Sequence, residues 1–406
     1  MVPGVFDALP ASPFARLRGL LDDITPAHAP LSLALGEPQH APPDFVMTAL
    51  AQPSPEDIGR YPPIVGTPTW RAAAQGWLTR RFSLPDGFLC GENDVLPLTG
   101  TREGLFLAAQ IAPPKADGLM AMPNPFYQVY ASAAIAAGAQ PLYLNATAET
   151  GFLPDLEALQ AGDLARLRAL YLCSPANPQG AIADAAYLRR ALQLAEQHDF
   201  LLLVDECYSD IYDRAAPPSI VQIMAEDAKS NAPVLVFHSL SKRSNLAGLR
   251  SGFVSGGEDA MRAFQRLRMV AGPQTPLPHL AAAALAWGDD AHVAANRDLY
   301  RAKLDAAEAI FGTDFDFYRP AGGFFLWLNV GDGETAARFL WREEGMRVLP
   351  GAYLTVPDAD GTNKGAAYIR VALVAPLDEM RPALTRLHAA LRRFAAHQDP
   401  QKGAAQ

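Results

Sequence analysis

Cysteine is scarce, with three in 406 residues. Cys90, Cys173 and Cys207 cannot all pair, and two of them fall at apolar runs that read as buried strands. They are therefore expected to be reduced core residues, not a disulfide framework. No apolar run reaches the roughly 18 residues that a membrane-spanning helix needs. The start, Met-Val-Pro-Gly-Val-Phe-Asp, has no basic stretch followed by an apolar one, which predicts a cytoplasmic chain. Basic residues never run beyond two in a row and the formal net charge is -9, a poor surface for nucleic acid. The eight histidines show no metal-ligand spacing. His238 is expected to be packed or capping. What remains is a chain that is 50% hydrophobic by count, enough for a large core and two domains.

Apolar runs at 119 to 122, 140 to 144, 168 to 173, 200 to 205, 233 to 237 and 251 to 255 alternate with helical stretches such as 184 to 198. That rhythm predicts an α/β fold whose mostly parallel sheet has helices on both faces. Residues before about 40 and after about 290 read differently. Helical patterns at 289 to 311 and 376 to 396 enclose short strands, including Gly323-Phe-Phe-Leu-Trp-Leu328. The expected division is 1–42 and 289–397 in a smaller α+β domain, 43–288 in a large domain, and a polar tail from His397, disordered over 398–406.

Ser239-Leu-Ser-Lys-Arg-Ser-Asn-Leu-Ala-Gly-Leu-Arg250 sets one lysine between two hydroxyls, with an arginine eight residues on. A lysine so placed can hold an aldehyde while its neighbours hold a phosphate. Pyridoxal 5'-phosphate carries both groups, so Lys242 is expected to be the Schiff-base lysine. A polar turn at a strand end would use the same residue types. Upstream, Phe200-Leu-Leu-Leu-Val-Asp-Glu-Cys-Tyr208 is an apolar run ending abruptly in charge, as a buried parallel strand does at its carboxyl edge. Asp205 there can keep a pyridine nitrogen protonated, and Tyr208 can bind the phenolic oxygen, although capping and half-burial would also place an Asp and a Tyr at that edge. Ser174-Pro-Ala-Asn-Pro-Gln-Gly180 follows another apolar strand and presents Asn177 on a stiff loop, as a plain turn would too.

The combination resembles the class I/II aminotransferases, fold type I pyridoxal phosphate enzymes, over nearly the whole chain. The resemblance implies a seven-stranded, mostly parallel sheet and a catalytic set of Lys242, Asp205 and Tyr208. It implies cofactor contacts from Asn177, Asp205, Tyr208, Ser239, Ser241, Lys242 and Arg250. It makes Thr99-Gly100-Thr101-Arg102 the phosphate-cradling turn at a helix start. Tyr127, in Asn124-Pro-Phe-Tyr-Gln-Val-Tyr130, would stack on the pyridine ring, although Phe126 and Tyr130 compete for that role or all three belong to the core. Tyr61, in Tyr61-Pro-Pro-Ile-Val-Gly66, would reach the phosphate of a neighbouring subunit in a homodimer with shared sites. Arg370, in an alternating strand, would grip the substrate α-carboxylate beside Gly36 and Asn177.

The run around Lys242, with Ser244 where most members carry an aromatic, is similar to the succinyldiaminopimelate aminotransferases, as are Ser12-Pro-Phe-Ala-Arg-Leu-Arg and Ile369-Arg-Val-Ala-Leu-Val-Ala-Pro376. That likeness implies N-succinyl-LL-2,6-diaminopimelate as donor and 2-oxoglutarate as acceptor, in lysine biosynthesis. Arg102, Arg243 and Lys364 are the candidate contacts for distal carboxylates, each also readable as a solvated or structural charge. Transamination of aspartate, alanine or an aromatic amino acid, or carbon-sulfur cleavage, is the alternative the cofactor ligands do not separate. A ligand sensor fused to a DNA-binding domain is disfavoured by the charge and by the lack of an amino-terminal helix-turn-helix pattern.

Overall fold

A computed structural model describes residue 4 and residues 11–398; the chain start and the last eight residues lie outside the described residues, and with them most of the expected tail. The central sheet has seven strands: β1 (Val95–Leu98), β2 (Leu119–Asn124), β3 (Gln140–Asn145), β4 (Leu167–Cys173), β5 (Leu201–Asp205), β6 (Val234–Ser239) and β7 (Gly252–Gly256). Their order is β1-β7-β6-β5-β4-β2-β3, and β7 alone runs against the others. Six of the seven are the apolar runs expected from the sequence. The exception, β1, is four fully buried residues with a proline inside, too short a run to stand out. After β3 the chain crosses back over β2 to lay down β4, so the strand order reverses there. Parallel sheets open a crevice beyond their carboxyl ends at such a reversal.

Four of the helices are α1 (Thr101–Ala108), α2 (Ala185–His198), α3 (Ala291–Phe311) and α4 (Leu377–Gln398). In α2 Asp184 caps the first turn by accepting from the Tyr187 amide, and one stripe from Leu188 to Ala195 is buried. Three further strands, β8 (Phe325–Asn329), β9 (Leu349–Pro350) and β10 (Tyr368–Ala372), form a second, antiparallel sheet in the order β9-β10-β8. Its inner face, with Leu33, Met346 and the buried stripes of α3 and α4, makes a separate apolar cluster. Leu31–Ser32 pairs with Met346–Arg347, which joins the two ends of the chain. The helix α4 runs through Gln398, so the polar tail expected from His397 is helical at its first two residues.

Beneath the crevice lies a buried charge cluster. Arg243 is 2% exposed and lies against the adjoining rings of Trp77 and Trp287, with its Nε donating to Asp210 at 2.9 Å and its other nitrogens to the Ala286 carbonyl and Asp290. Arg81 donates to the second Asp210 oxygen at 2.9 Å. Burial alone would lift the Asp210 carboxyl; the Arg243 and Arg81 guanidiniums outweigh it and hold the group below the ordinary carboxylate range. Arg243 is thus a structural charge, shut away from any ligand. Asp210→Ala removes the buried anion that Arg243 and Arg81 share, leaving Arg243 only the more exposed Asp290, and is expected to cost about 3 to 5 kcal/mol of unfolding free energy. A loss under about 1 kcal/mol in denaturant titration would contradict this account of the cluster.

Candidate active site

A cavity of about 400 Å³ opens at the carboxyl edge of the large sheet, where the strand order reverses. Strand ends and the turns after them supply its wall. Asp205 ends β5, with Cys207 and Tyr208 after it; Ser239 ends β6, with Ser241 and Lys242 after it; Asn177 follows β4 and Tyr127 follows β2. Thr101 and Arg102 open α1 on the same wall, and Arg250 enters from the turn before β7. Gly36 and Arg370 close it from the smaller sheet's side. The structure therefore brings together every expected site residue except two. Gly100 stands directly behind the wall, and Tyr61 is 96% exposed and lies outside the cavity of its own chain.

Lys242 sits in the one-turn helix Leu240–Arg243, whose first turn is capped by Ser239 Oγ accepting from the Ser241 amide at 3.1 Å. Its ammonium donates to the Gly36 carbonyl and faces the Phe324 ring. Burial first, then the nearby Arg370 and Arg250 charges, lower its pKa to about 8. An amine so poised loses its proton far more readily than a surface lysine. Asp205 is buried opposite, accepting from Tyr130 Oη at 2.8 Å and from the Cys207 amide at 3.2 Å. Burial lifts its carboxyl above the ordinary range, against the pull of those hydrogen bonds and of Lys242. A pyridinium nitrogen beside it would hold it ionised.

Arg370 donates to the Ala34 carbonyl at 2.8 Å and to the Asn177 amide oxygen at 3.3 Å, with its guanidinium over the Phe325 ring. Burial lowers its pKa to about 10. Its Nε is buried and has no partner among the described residues, which is the opening a carboxylate would fill. Turning its oxygen to Arg370 leaves Asn177 its NH2 for a phenolic oxygen, and Tyr208 lines the same cavity, packed edge-on against Phe324 and Phe325. At the other end, Arg250 has a φ of 54° and is fixed by the carbonyls of Ala247 and Thr99. Gly100 has a φ of 92°, and a Cβ there would collide with the Arg250 guanidinium. Only glycine lets that charge lie against the amino terminus of α1, and the two together fit a phosphate.

Several parts are not visible in the sequence. Tyr130, by sequence only a competing stacking ring, is fully buried against Tyr171 and serves Asp205. Phe126, Tyr127 and Tyr130 all line the cavity; Tyr127 is the half-buried one of the three, its hydroxyl held by Arg102 Nε at 2.6 Å. Cys173 and Cys207 line the cavity and Cys90 is exposed, so the expectation of three core cysteines is corrected; the two strand-end thiols stand where the sheet stops and the site begins. Lys364 lies beside Asp358 away from the wall, and Arg243 is in the buried cluster, leaving Arg102 as the candidate distal contact that lines the cavity. Ser244 is buried, its hydroxyl bonded to His292 at 2.8 Å and to Arg243. A polar network occupies the place where an aromatic ring was the alternative. His238 is packed as expected among Trp77, Phe82 and Phe253.

The donor set fits pyridoxal 5'-phosphate: an amine of lowered pKa, a buried carboxylate for the ring nitrogen, an aromatic wall, and an arginine with a helix amino terminus for the phosphate. When bound, that group captures the substrate amine and accepts the electron pair left on the α-carbon as its proton leaves. With it bound, Lys242 would be the base to take the proton, and Arg370 would hold the carboxylate that orients the α-carbon.

The family model described as aminotransferase class I and II matches residues 29–387. An LL-diaminopimelate aminotransferase of Desulforudis audaxviator is 30% identical over 391 residues, covering 95% of this chain and 96% of that protein. The crystal structure of an aminotransferase from Neisseria meningitidis superposes with a TM-score of 0.89 at 34% identity, covering 96% of this chain and 99% of that one. A probable N-succinyldiaminopimelate aminotransferase from Thermus thermophilus gives a TM-score of 0.81 at 25% identity, covering 93% of this chain and 100% of that one. The chain belongs to the class I and II aminotransferases, fold type I enzymes that depend on pyridoxal phosphate and move amino groups between small amino acids and oxo acids.

Proposed function

We propose that this aminotransferase takes N-succinyl-LL-2,6-diaminopimelate as amino donor and 2-oxoglutarate as acceptor. One observation carries the reading. With Arg370 assigned to the α-carboxylate, Arg250 to the phosphate and Lys242 to the reaction, the cavity has a fourth cation, Arg102. It is tethered to Tyr127 and, among the described residues, has no carboxylate partner, so it can meet a distal carboxylate. Phe14 and Leu35 at the rim provide apolar surface for the methylenes between the two ends. The Thermus likeness supports the succinylated donor. LL-2,6-diaminopimelate itself is the second reading, favoured by the Desulforudis relative.

In the proposed cycle Lys242 removes the α-proton, and the same amine returns a proton to the cofactor side. Asp205 keeps the ring nitrogen protonated, and Asn177 and Tyr208 hold the phenolic oxygen. The assembly is a two-fold dimer in which Tyr61 completes the other subunit's phosphate site. Its 96% exposure, beside Ile58 at 71%, suits a side chain that works outside its own chain.

Three outcomes are expected. Lys242→Ala should fold and lose turnover, since both the cofactor linkage and the proton carrier go with the amine; turnover at the wild-type rate would end the assignment. Mixing Tyr61→Ala and Lys242→Ala subunits should recover activity through hybrid dimers that hold one intact site. If Tyr61→Ala alone is slow and mixing recovers nothing, the shared site is wrong. For substrate, removing the succinyl group should lower kcat/KM by more than about tenfold, about 1.4 kcal/mol of transition-state binding, with Arg102→Ala narrowing that gap. Equal kcat/KM for LL-2,6-diaminopimelate would select the second reading, and faster turnover of aspartate or an aromatic amino acid would reject both.

A further inference from the structure

Lys303 is 0% exposed, on the long helix α3, and no step of the reaction uses it. Its surroundings are specific. The amine lies 2.6 Å from His40 Nε2, 3.1 Å from the Leu373 carbonyl and 3.4 Å from the Val374 carbonyl. Two turns earlier on the same helix face, Asn296 is buried and lies 2.9 Å from His40 Nδ1. Its other end reaches the carbonyls of Lys242 at 3.3 Å and Arg243 at 3.1 Å.

The donors and acceptors of this group can be assigned without freedom. Backbone carbonyls only accept, so the Asn296 NH2 must face Lys242 and Arg243, and its oxygen must face His40 and the Asn245 amide, 3.0 Å away. His40 then carries its proton on Nδ1 and accepts at Nε2. The Lys303 nitrogen is left with three acceptors and no donor, a match for the three protons of an ammonium. Burial lowers its pKa to about 7, and the neighbouring charge in turn lowers that of His40, whose largest cause is also burial. The acceptors around Lys303 are the arrangement that favours its protonated form.

We infer that His40, Asn296 and Lys303 form a positioning relay that fixes the Lys242 turn against the two segments carrying Gly36 and Arg370. Each link ends on a different part of the site. His40 is four residues after Gly36, whose carbonyl accepts from Lys242. Leu373 and Val374 follow Arg370 directly out of β10. Asn296 holds the backbone of Lys242 itself. One face of one helix therefore ties together three stretches that are about 200, 130 and 330 residues apart in sequence, where loop entropy would otherwise loosen them. The three residues touch neither substrate nor cofactor; they act through the placement of Lys242. The inference rests on Lys242 being the reacting amine, as proposed above.

The test uses the full-length holoenzyme with Asn296→Ala, Lys303→Met and the double variant. Each single variant should lower kcat per bound cofactor by about tenfold or more while KM for the amino donor changes less than about threefold, because the contacts of Arg370 to Ala34 and Asn177 remain. The pH midpoint of the bound cofactor's absorbance should move by about half a unit or more, reporting a displaced Lys242. The double variant should be no slower than the slower single, and melting temperatures of the cofactor-free variants should likewise be less than additive. Wild-type kcat with an unmoved midpoint in folded variants, or losses that multiply in the double, would overturn the relay. If Lys303→Met does not fold, His40→Gln takes its place in the cycle with the same criteria. The two levels separate cleanly: full activity in Lys242→Ala ends the active-site assignment, whereas an inactive Lys242→Ala beside fully active relay variants ends the relay alone.

Discussion

Desolvating the amine of Lys242 next to two guanidiniums is the constraint on which the site depends. Water would stabilise the ammonium and keep its proton tightly bound; burial and the charges of Arg370 and Arg250 bring the pKa down to about 8. The cost of that burial is met locally by the Gly36 carbonyl, which requires the amino-terminal segment to close over the end of the sheet. The smaller sheet is thus part of the chemistry, because it brings Arg370 and covers the lysine in one movement of the chain. A parallel sheet is suited to the other half of the task. Its apolar strands stop at a common edge, and the first residues beyond that edge, Asp205 and Asn177 among them, lie at the border of dry core and solvent.

Much of this was legible because strand and turn grammar is local. An apolar run that ends in Asp, or in Ser-Leu-Ser-Lys, states both the strand and the residue at its end, and six strands of the large sheet follow from that pattern alone. The Gly100 requirement was visible as a motif; its reason, the Arg250 guanidinium packed where a Cβ would be, needed the fold. What escaped was long-range. Nothing near Tyr130 says that its hydroxyl serves a carboxylate 75 residues later, and nothing near Arg243 says that it ends against a pair of packed tryptophans. A basic residue directly after Lys242 left two readings open, a ligand contact or a structural charge. The one-turn helix points the two side chains in different directions, Lys242 into the cavity and Arg243 beneath it.

The Arg243 cluster and Ser244 belong to one solution. Their backbone starts from the same turn as Lys242, and their side chains end in Asp210, Asp290 and His292, on elements that follow β5 and begin α3. Asp289 holds His292 at 2.6 Å and sets its orientation, so the serine hydroxyl finds a fixed partner. An aromatic side chain at 244 would have to displace these polar groups, leaving buried donors without acceptors at a cost of roughly 1 to 3 kcal/mol each. The small hydroxyl is therefore dictated from beneath the site, independently of the substrate it turns over.

Directly behind Asp205 and Ser239 one buried acid–base pair is kept neutral. Glu206 and His238 directly follow Asp205 and directly precede Ser239, both buried and 3.5 Å apart. Burial raises the Glu206 carboxyl to about 8 and lowers the His238 imidazole to about 3, so at neutral pH one keeps its proton and the other does not take one up. An ion pair there would place a carboxylate and a cation one residue from the groups that face the cofactor, competing with Asp205 for the ring nitrogen's charge and with Arg250 for the phosphate. Packing His238 between Trp77, Phe82 and Phe253 removes the solvent that such a pair would need. The residues lining the cavity then act on a bound cofactor with no added charge from the Glu206–His238 pair directly behind them.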